Sequence, residues 1–183
     1  MASNPDNWTE LYRSNKDDAT SLDIETQGVL GPITIVGLSR VQDGSINYTG
    51  LIAHKTLTLE NCAKALRGCG LLITYNGLRH DIPRLRAEFP ELLLDRLPVL
   101  DLYHVAKSLG MKANLQTLET TFGIQRPDPR TQKRRIATKL WRRYQTTRNP
   151  ETLNLLIAYN RQDTINLHPL AHALAKRCAN QRV

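Results

Sequence analysis

Four acidic residues and one tyrosine stand at spacings that could do chemistry. Asp23 and Glu25 lie two apart in Ser21-Leu22-Asp23-Ile24-Glu25-Thr26. If this run is a strand, period-two alternation puts both carboxylates on one face and Leu22 and Ile24 on the other. Two acids on one face of a central strand are costly unless a cation compensates them. A strand serving only the core would carry Val or Ile there. Asp81 closes the run Ile73-Thr74-Tyr75-Asn76-Gly77-Leu78-Arg79-His80-Asp81 and opens a helix. Taken alone, it reads first as an acid interacting with the helix dipole. Tyr159 and Asp163, four apart, share a helix face. Alone they would be an ordinary half-buried pair. Hard carboxylate oxygens suit Mg²⁺ or Mn²⁺.

The elements that must position these residues follow from pattern. Residues 1–18 form a polar lead-in, with a short helix around Trp8 to Arg13. Three strands are expected at Ala19 to Glu25, Ile33 to Arg40 and Ile46 to Ala53. Gly31-Pro32 and Asp43-Gly44 mark the turns of an antiparallel meander. The period then changes. A helix from Thr58 to Leu66, capped by Thr58, precedes a short strand at Leu71 to Tyr75. A helix from Asp81 to Phe89 and a last strand at Pro98 to Leu102 follow. Asp101 reads as a helix N-cap. From there the chain is helical at 102–109, 114–122, 134–146, 150–161 and 163–178, with a loop at 123–133. Asn114 and Asn149 are N-caps, and Pro150 suits the first helical position. The expected fold is α/β: a mixed sheet of three antiparallel and two parallel strands, covered by helices, with a helical C-terminal region. Residues 19–183 are read as one domain.

Composition bounds the rest. The chain has 183 residues, 40% hydrophobic and 23% charged. No apolar run approaches the ~20 residues of a membrane span. Met1 to Glu10 has no signal-peptide core, so a cytoplasmic protein is expected. Cys62, Cys69 and Cys178 form no Cys-x-x-Cys pair, and reduced thiols are expected. His54, His104, His168 and His172 show no zinc spacing. The net charge of +8 is matched by residues 126–148 alone, where nine basic side chains stand with one acid, Asp128. That concentration reads as a polyanion-binding surface or as a solvated helix face. Within it, Trp141 and Tyr144 read as core-facing, with a stacking platform as the alternative.

Together, Asp-x-Glu, Asn-x₄-Asp and Tyr-x₃-Asp resemble, in order and spacing, the three motifs of the DEDD (DnaQ-like) 3′–5′ exonuclease superfamily. Tyr159, in place of a histidine at position 158, points to the tyrosine subclass. Leu22-Asp23-Ile24-Glu25-Thr26, Ile33-Thr34-Ile35-Val36-Gly37-Leu38, Ile73-Thr74-Tyr75-Asn76-Gly77 and Tyr159-Asn160-Arg161-Gln162-Asp163 are similar to the YprB-like ribonuclease-H-like type. The resemblance covers about residues 19–175. Two departures stand out: His80 replaces the usual aromatic residue before Asp81, and Gln27 interrupts a frequent Thr-Thr-Gly.

The resemblance implies a ribonuclease-H-like fold and two divalent ions held by Asp23, Glu25, Asp81 and Asp163. Asp23 would bridge both ions, Glu25 and Asp163 would complete one site, and Asp81 would support the other through waters. Tyr159 would orient the attacking water. Thr26 and Asn76 would lie near the terminal nucleotide. His80, where the family pattern is broken, is a substrate-binding candidate and a titrating group beside the metals, and the basic run supplies Arg134, Arg135, Lys139, Arg142 and Arg143 to track the phosphate backbone of DNA or RNA, with single-stranded DNA favoured. An inactive nucleic-acid-binding module of the same fold and a ribonuclease-H-like endonuclease are the alternatives. The sequence sets no oligomeric state. It leaves open action within a larger nuclease or repair assembly.

Overall fold

Alternating side chains organise the sheet. In the computed structural model, which describes residues 8–28, 31–132 and 136–180, strands β1 (Ala19–Thr26), β2 (Ile33–Gln42), β3 (Ser45–Ile52), β4 (Leu71–Thr74) and β5 (Val99–Asp101) form one sheet in the order β3-β2-β1-β4-β5. The β1–β2 and β2–β3 pairs are antiparallel; β1–β4 and β4–β5 are parallel. This is the expected mixed sheet. Asp43 and Gly44, both at positive φ, make the tight β2–β3 turn, whose twist matches that of the flanking strands.

Eight helices surround the sheet among the described residues: α1 (Trp8–Asn15), α2 (Leu59–Leu66), α3 (Asp81–Glu88), α4 (Leu102–Ser108), α5 (Leu115–Thr121), α6 (Ala137–Thr147), α7 (Pro150–Ile165) and α8 (Leu167–Asn180). Caps set several starts as expected. Thr58, Asp101, Asn114 and Asn149 each accept a backbone N–H of the first turn.

The sheet has two apolar faces. Leu22, Val36, Leu38 and Leu72 pack with Cys62, Ile82, Leu85 and Leu94 on the side of α2 and α3. Ala19, Leu71 and Ile73 pack with Trp8, Tyr12, Leu102, Leu118, Leu170 and Leu174 on the other side. A third cluster joins Ile35 to Trp141, Tyr144, Leu156 and Tyr159 of α6 and α7. None of the described helices is long and apolar enough to cross a membrane.

One expected boundary is corrected. The break read between 161 and 163 falls instead at Asn166, and α7 runs unbroken through Asp163. The cause is Pro169. It lacks the N–H that would bond the Ile165 carbonyl, so the helix can continue to Ile165 but not past it in the same ladder.

Candidate metal centre

β1 delivers the first two carboxylates. Leu22 is 1% exposed in the core, and Ile24 packs against the same cluster. Asp23 and Glu25 therefore project to the opposite face, where α7 lies. Ser21 lies on that face as well, and its hydroxyl donates to the Thr164 carbonyl of α7 at 2.8 Å. The β1–β2 register shifts between Glu25 and Thr26, a bulge of the kind that re-aims side chains beside sites.

α7 approaches the sheet closely because β2 carries Gly37 opposite Asp23. A Cβ at Gly37 would overlap the side-chain oxygens of Asn160 and Thr164. Across this gap Asn160, fully buried, donates from Nδ2 to Asp23 Oδ2 at 2.7 Å. Its Oδ1 accepts the Tyr48 hydroxyl at 2.7 Å. One turn along, Asp163 completes the set. Ligand oxygens of Asp23, Glu25 and Asp163 all lie within 4.8 Å of one another.

Asp81, expected as a fourth ligand, is not in this group of three; it reaches β1 from another side. The β1–β4 ladder ends at Ser21 and Ile73, leaving the Ile24 N–H without a strand partner there. Asp81 Oδ1 accepts it at 2.9 Å. The loop leading to Asp81 is held by Asp101, which accepts the N–H groups of Asn76 (2.7 Å) and Leu78 (3.1 Å) while capping α4.

The electrostatics are those of buried acids crowded together, with Arg126 beside Asp163 as the one cation ion-paired to them among the described residues. Burial first, then the charges of Glu25, Asp163 and Asp81, pushes the Asp23 carboxyl well above its usual range. Burial and the charges of Asp163 and Asp81 do the same to Glu25. Burial raises Asp81 to about 7, against the pull of the Ile24 N–H. Burial raises Asp163 to about 6, opposed by Arg126. The donor set is entirely hard oxygen, which fits Mg²⁺ or Mn²⁺. A bound cation would restore the ionised forms.

These shifts set a pH dependence. In the metal-free protein the folded state keeps protons that the unfolded chain has already released, so stability falls as pH rises from about 4 through about 7. In EDTA the melting temperature should be higher at about pH 5.5 than at about pH 7.5, and Mn²⁺ should raise it more at the higher pH. Equal melting temperatures in EDTA would contradict the crowded-acid picture.

The other sequence candidates are distributed as follows. Tyr159 is buried on α7. Burial and the charges of Asp163, Glu25 and Asp23 hold its phenol far above its ordinary value, so it is neutral. The Thr26 hydroxyl donates to the Gly28 carbonyl at 2.8 Å. Asn76 stands at positive φ, with its buried Oδ1 unpartnered. His80 is exposed and makes no capping bond. Lys139, Arg142 and Arg143 are exposed on α6, whose opposite stripe of Ala137, Trp141 and Tyr144 is buried. Trp141 and Tyr144 thus face the core. Arg134 and Arg135 lie outside the described residues.

The basic run is not uniform, which corrects the charge count as a measure of surface. Arg126 is buried between Glu119 and Asp163, Arg130 pairs with Asp128, and Arg148 lies over the Tyr144 ring.

A family model described as the RNase H superfamily matches residues 20–175. The chain belongs to the RNase H superfamily. The five-stranded mixed sheet and its helical C-terminal part are the fold of that family, and membership points to nuclease-type activity on nucleic acid. Comparison with curated proteins gives no match.

Asn160, Arg126, Asp101 and Gly37 are the residues around this RNase H-like centre that the motif reading did not assign. A signal existed for two of them. Asn160 lies inside the third motif, and a glycine within a strand marks close approach of other atoms.

Proposed function

We propose that this RNase H-like domain is a metal-dependent 3′–5′ exonuclease of the DEDD tyrosine type, acting on single-stranded DNA or on RNA. The observation that carries the proposal is the junction of α7 with β1. It sets carboxylate oxygens of Asp23, Glu25 and Asp163 within 4.8 Å of one another, with Tyr159 buried one helical turn before Asp163 on α7. An end-directed nuclease of this type requires that grouping, and a binding module has no use for clustered acids beside phosphates.

Asp23, Glu25 and Asp163 would hold the cations, with Asp81 supporting them from the Ile24 edge. Two bound divalent ions supply an activated water and neutralise the leaving oxygen. The Tyr159 phenol, kept neutral, donates a hydrogen bond that orients the water and is not a base at pH 7. Thr26, Asn76 and His80 flank the carboxylates in sequence and would meet the terminal nucleotide. Lys139, Arg142 and Arg143 would hold the strand behind it. Their helix is tied to the centre where the Thr138 hydroxyl donates to the Thr26 carbonyl at 3.3 Å.

The test uses 5′-labelled single-stranded DNA and RNA with Mg²⁺ or Mn²⁺ and an EDTA control. A one-nucleotide ladder shortening from the 3′ end is expected. Discrete internal cuts would replace the reading with an endonuclease, and binding without cleavage with a module. Tyr159→Phe should slow the ladder about tenfold, the worth of one hydrogen bond of about 1.4 kcal/mol. Replacing Arg142 and Arg143 with alanine should lower the salt slope of binding by about 1 to 2 units, since each released phosphate contact contributes about 0.7 for single strands. An unchanged slope would remove α6 from the substrate path.

A further inference from the structure

Arg126 is a cation set against one of the carboxylates, its side chain only 5% exposed. Its Nε and Nη2 donate to the two oxygens of Glu119. Its Nη1 donates to the Thr131 carbonyl at 3.3 Å. Nη2 also donates to Asp163 Oδ1. Glu119 is itself 1% exposed and accepts Asn166 Nδ2 at 2.9 Å. Asn166 Oδ1 in turn accepts Gln162 Nε2 at 2.8 Å.

This wiring decides what Arg126 can do. Leaving Asp163 would mean leaving Glu119 as a buried, unpaired charge, which is among the costliest defects a fold can carry. The guanidinium is therefore fixed. Its planar fork binds Glu119 with two donors and presents another to Asp163. One oxygen of Asp163 thus faces a fixed donor, which weakens it as a metal ligand relative to its partner oxygen.

We propose that Arg126 is a positioning residue that makes Asp163 a one-oxygen ligand, and so favours Mg²⁺ and Mn²⁺ over Ca²⁺ at this centre. Ca²⁺ takes more oxygens and often both oxygens of a carboxylate, whereas Mg²⁺ binds through few protein oxygens and keeps its waters. The loop after α5 thereby belongs to the metal centre although it offers no ligand. The inference rests on the metal-binding part of the proposed function and not on the reaction.

The experiment measures binding, not turnover. Free Mn²⁺ is followed by its paramagnetic resonance signal, and Ca²⁺ by competition against it. The proteins are wild type, Arg126→Lys and the double variant Arg126→Met with Glu119→Gln, which leaves no unpaired charge at position 119. Wild type should prefer Mn²⁺. The double variant should bind Mn²⁺ about 10- to 100-fold more weakly, the usual effect of removing a group that holds a ligand, and should discriminate less against Ca²⁺. Arg126→Lys keeps the charge without the fork, and should fall between them. Mn²⁺ affinity and Mn²⁺/Ca²⁺ preference that stay at wild-type values in both variants would overturn the proposal, whatever their melting temperatures. Wild-type protein that binds Mn²⁺ with this preference yet cuts no nucleic acid would end the nuclease reading and leave the role of Arg126 standing.

Discussion

Asp23→Ala should lower the rate of nucleic-acid hydrolysis by about a thousandfold or more without unfolding the protein. The size follows from what the carboxylate would hold under the proposed function. A catalytic divalent ion contributes several kcal/mol of transition-state stabilisation, and about 1.4 kcal/mol is a factor of ten. The intact fold follows from electrostatics. Asp23 is held well above its usual range by burial and by Glu25, Asp163 and Asp81, so keeping it in the metal-free fold at neutral pH costs stability, as a proton taken up or as a charge among charges. Removing it loses the Asn160 hydrogen bond and removes that cost. The melting temperature in EDTA should therefore stay level or rise at neutral pH, while the Mn²⁺-induced increase disappears. Asp163→Asn should match it in activity, and Arg126 keeps Glu119 as a partner in that variant. A rate within a few-fold of wild type in either variant, measured on the labelled strand, would remove these residues from the centre.

Gly37→Ala should damage stability and metal binding together, although it adds one methyl group. Gly37 is paired with Asp23 on one side and Gly50 on the other, so its backbone cannot move aside. The new methyl would occupy the space of the Asn160 and Thr164 oxygens. Overpacking of this kind costs about 1–3 kcal/mol, or about 2–12 °C in melting temperature for a domain of this size. α7 must then lift from β2, and Asn160 loses its reach to Asp23. Mn²⁺ affinity should fall about 10- to 100-fold, as when other supports of metal ligands are removed. Calorimetry and a Mn²⁺ titration read the two effects separately. Wild-type values in both would show that α7 does not need this close approach.

What the sequence revealed and what it hid divide along a physical line. Period-two alternation at Leu22-Asp23-Ile24-Glu25 predicts which side chains face the core, and the strand obeys it. Helix starts at Thr58, Asp101, Asn114 and Asn149 were legible because capping is a local bond. The meander was legible from its turns. The supports of the site were not, because each joins residues far apart in the chain: Asn160 to Asp23, Arg126 to Glu119 and Asp163, Asp101 to the backbone of Asn76. Arg126 shows the difficulty best. Counted among nine basic residues it looked like surface, since a charge count carries no information on burial. The end of α7 was misplaced for a related reason. The residue that stops the ladder, Pro169, acts on a carbonyl four positions earlier.

The strand order β3-β2-β1-β4-β5 has a consequence for where such a site can lie. The chain builds outward from β1 to β3, then returns to the other flank of β1 to place β4 and β5. At that reversal the chain serves opposite flanks of β1, and in open α/β sheets such switch points are where ligands bind, at the carboxyl ends of the strands. Glu25 stands at the carboxyl end of β1 with Asp23 two residues before it, and the loop to Asp81 leaves the carboxyl end of β4. The location of the centre is thus a property of topology, while its chemistry is a property of a few side chains. Side chains there can be exchanged without rebuilding the scaffold that exposes them.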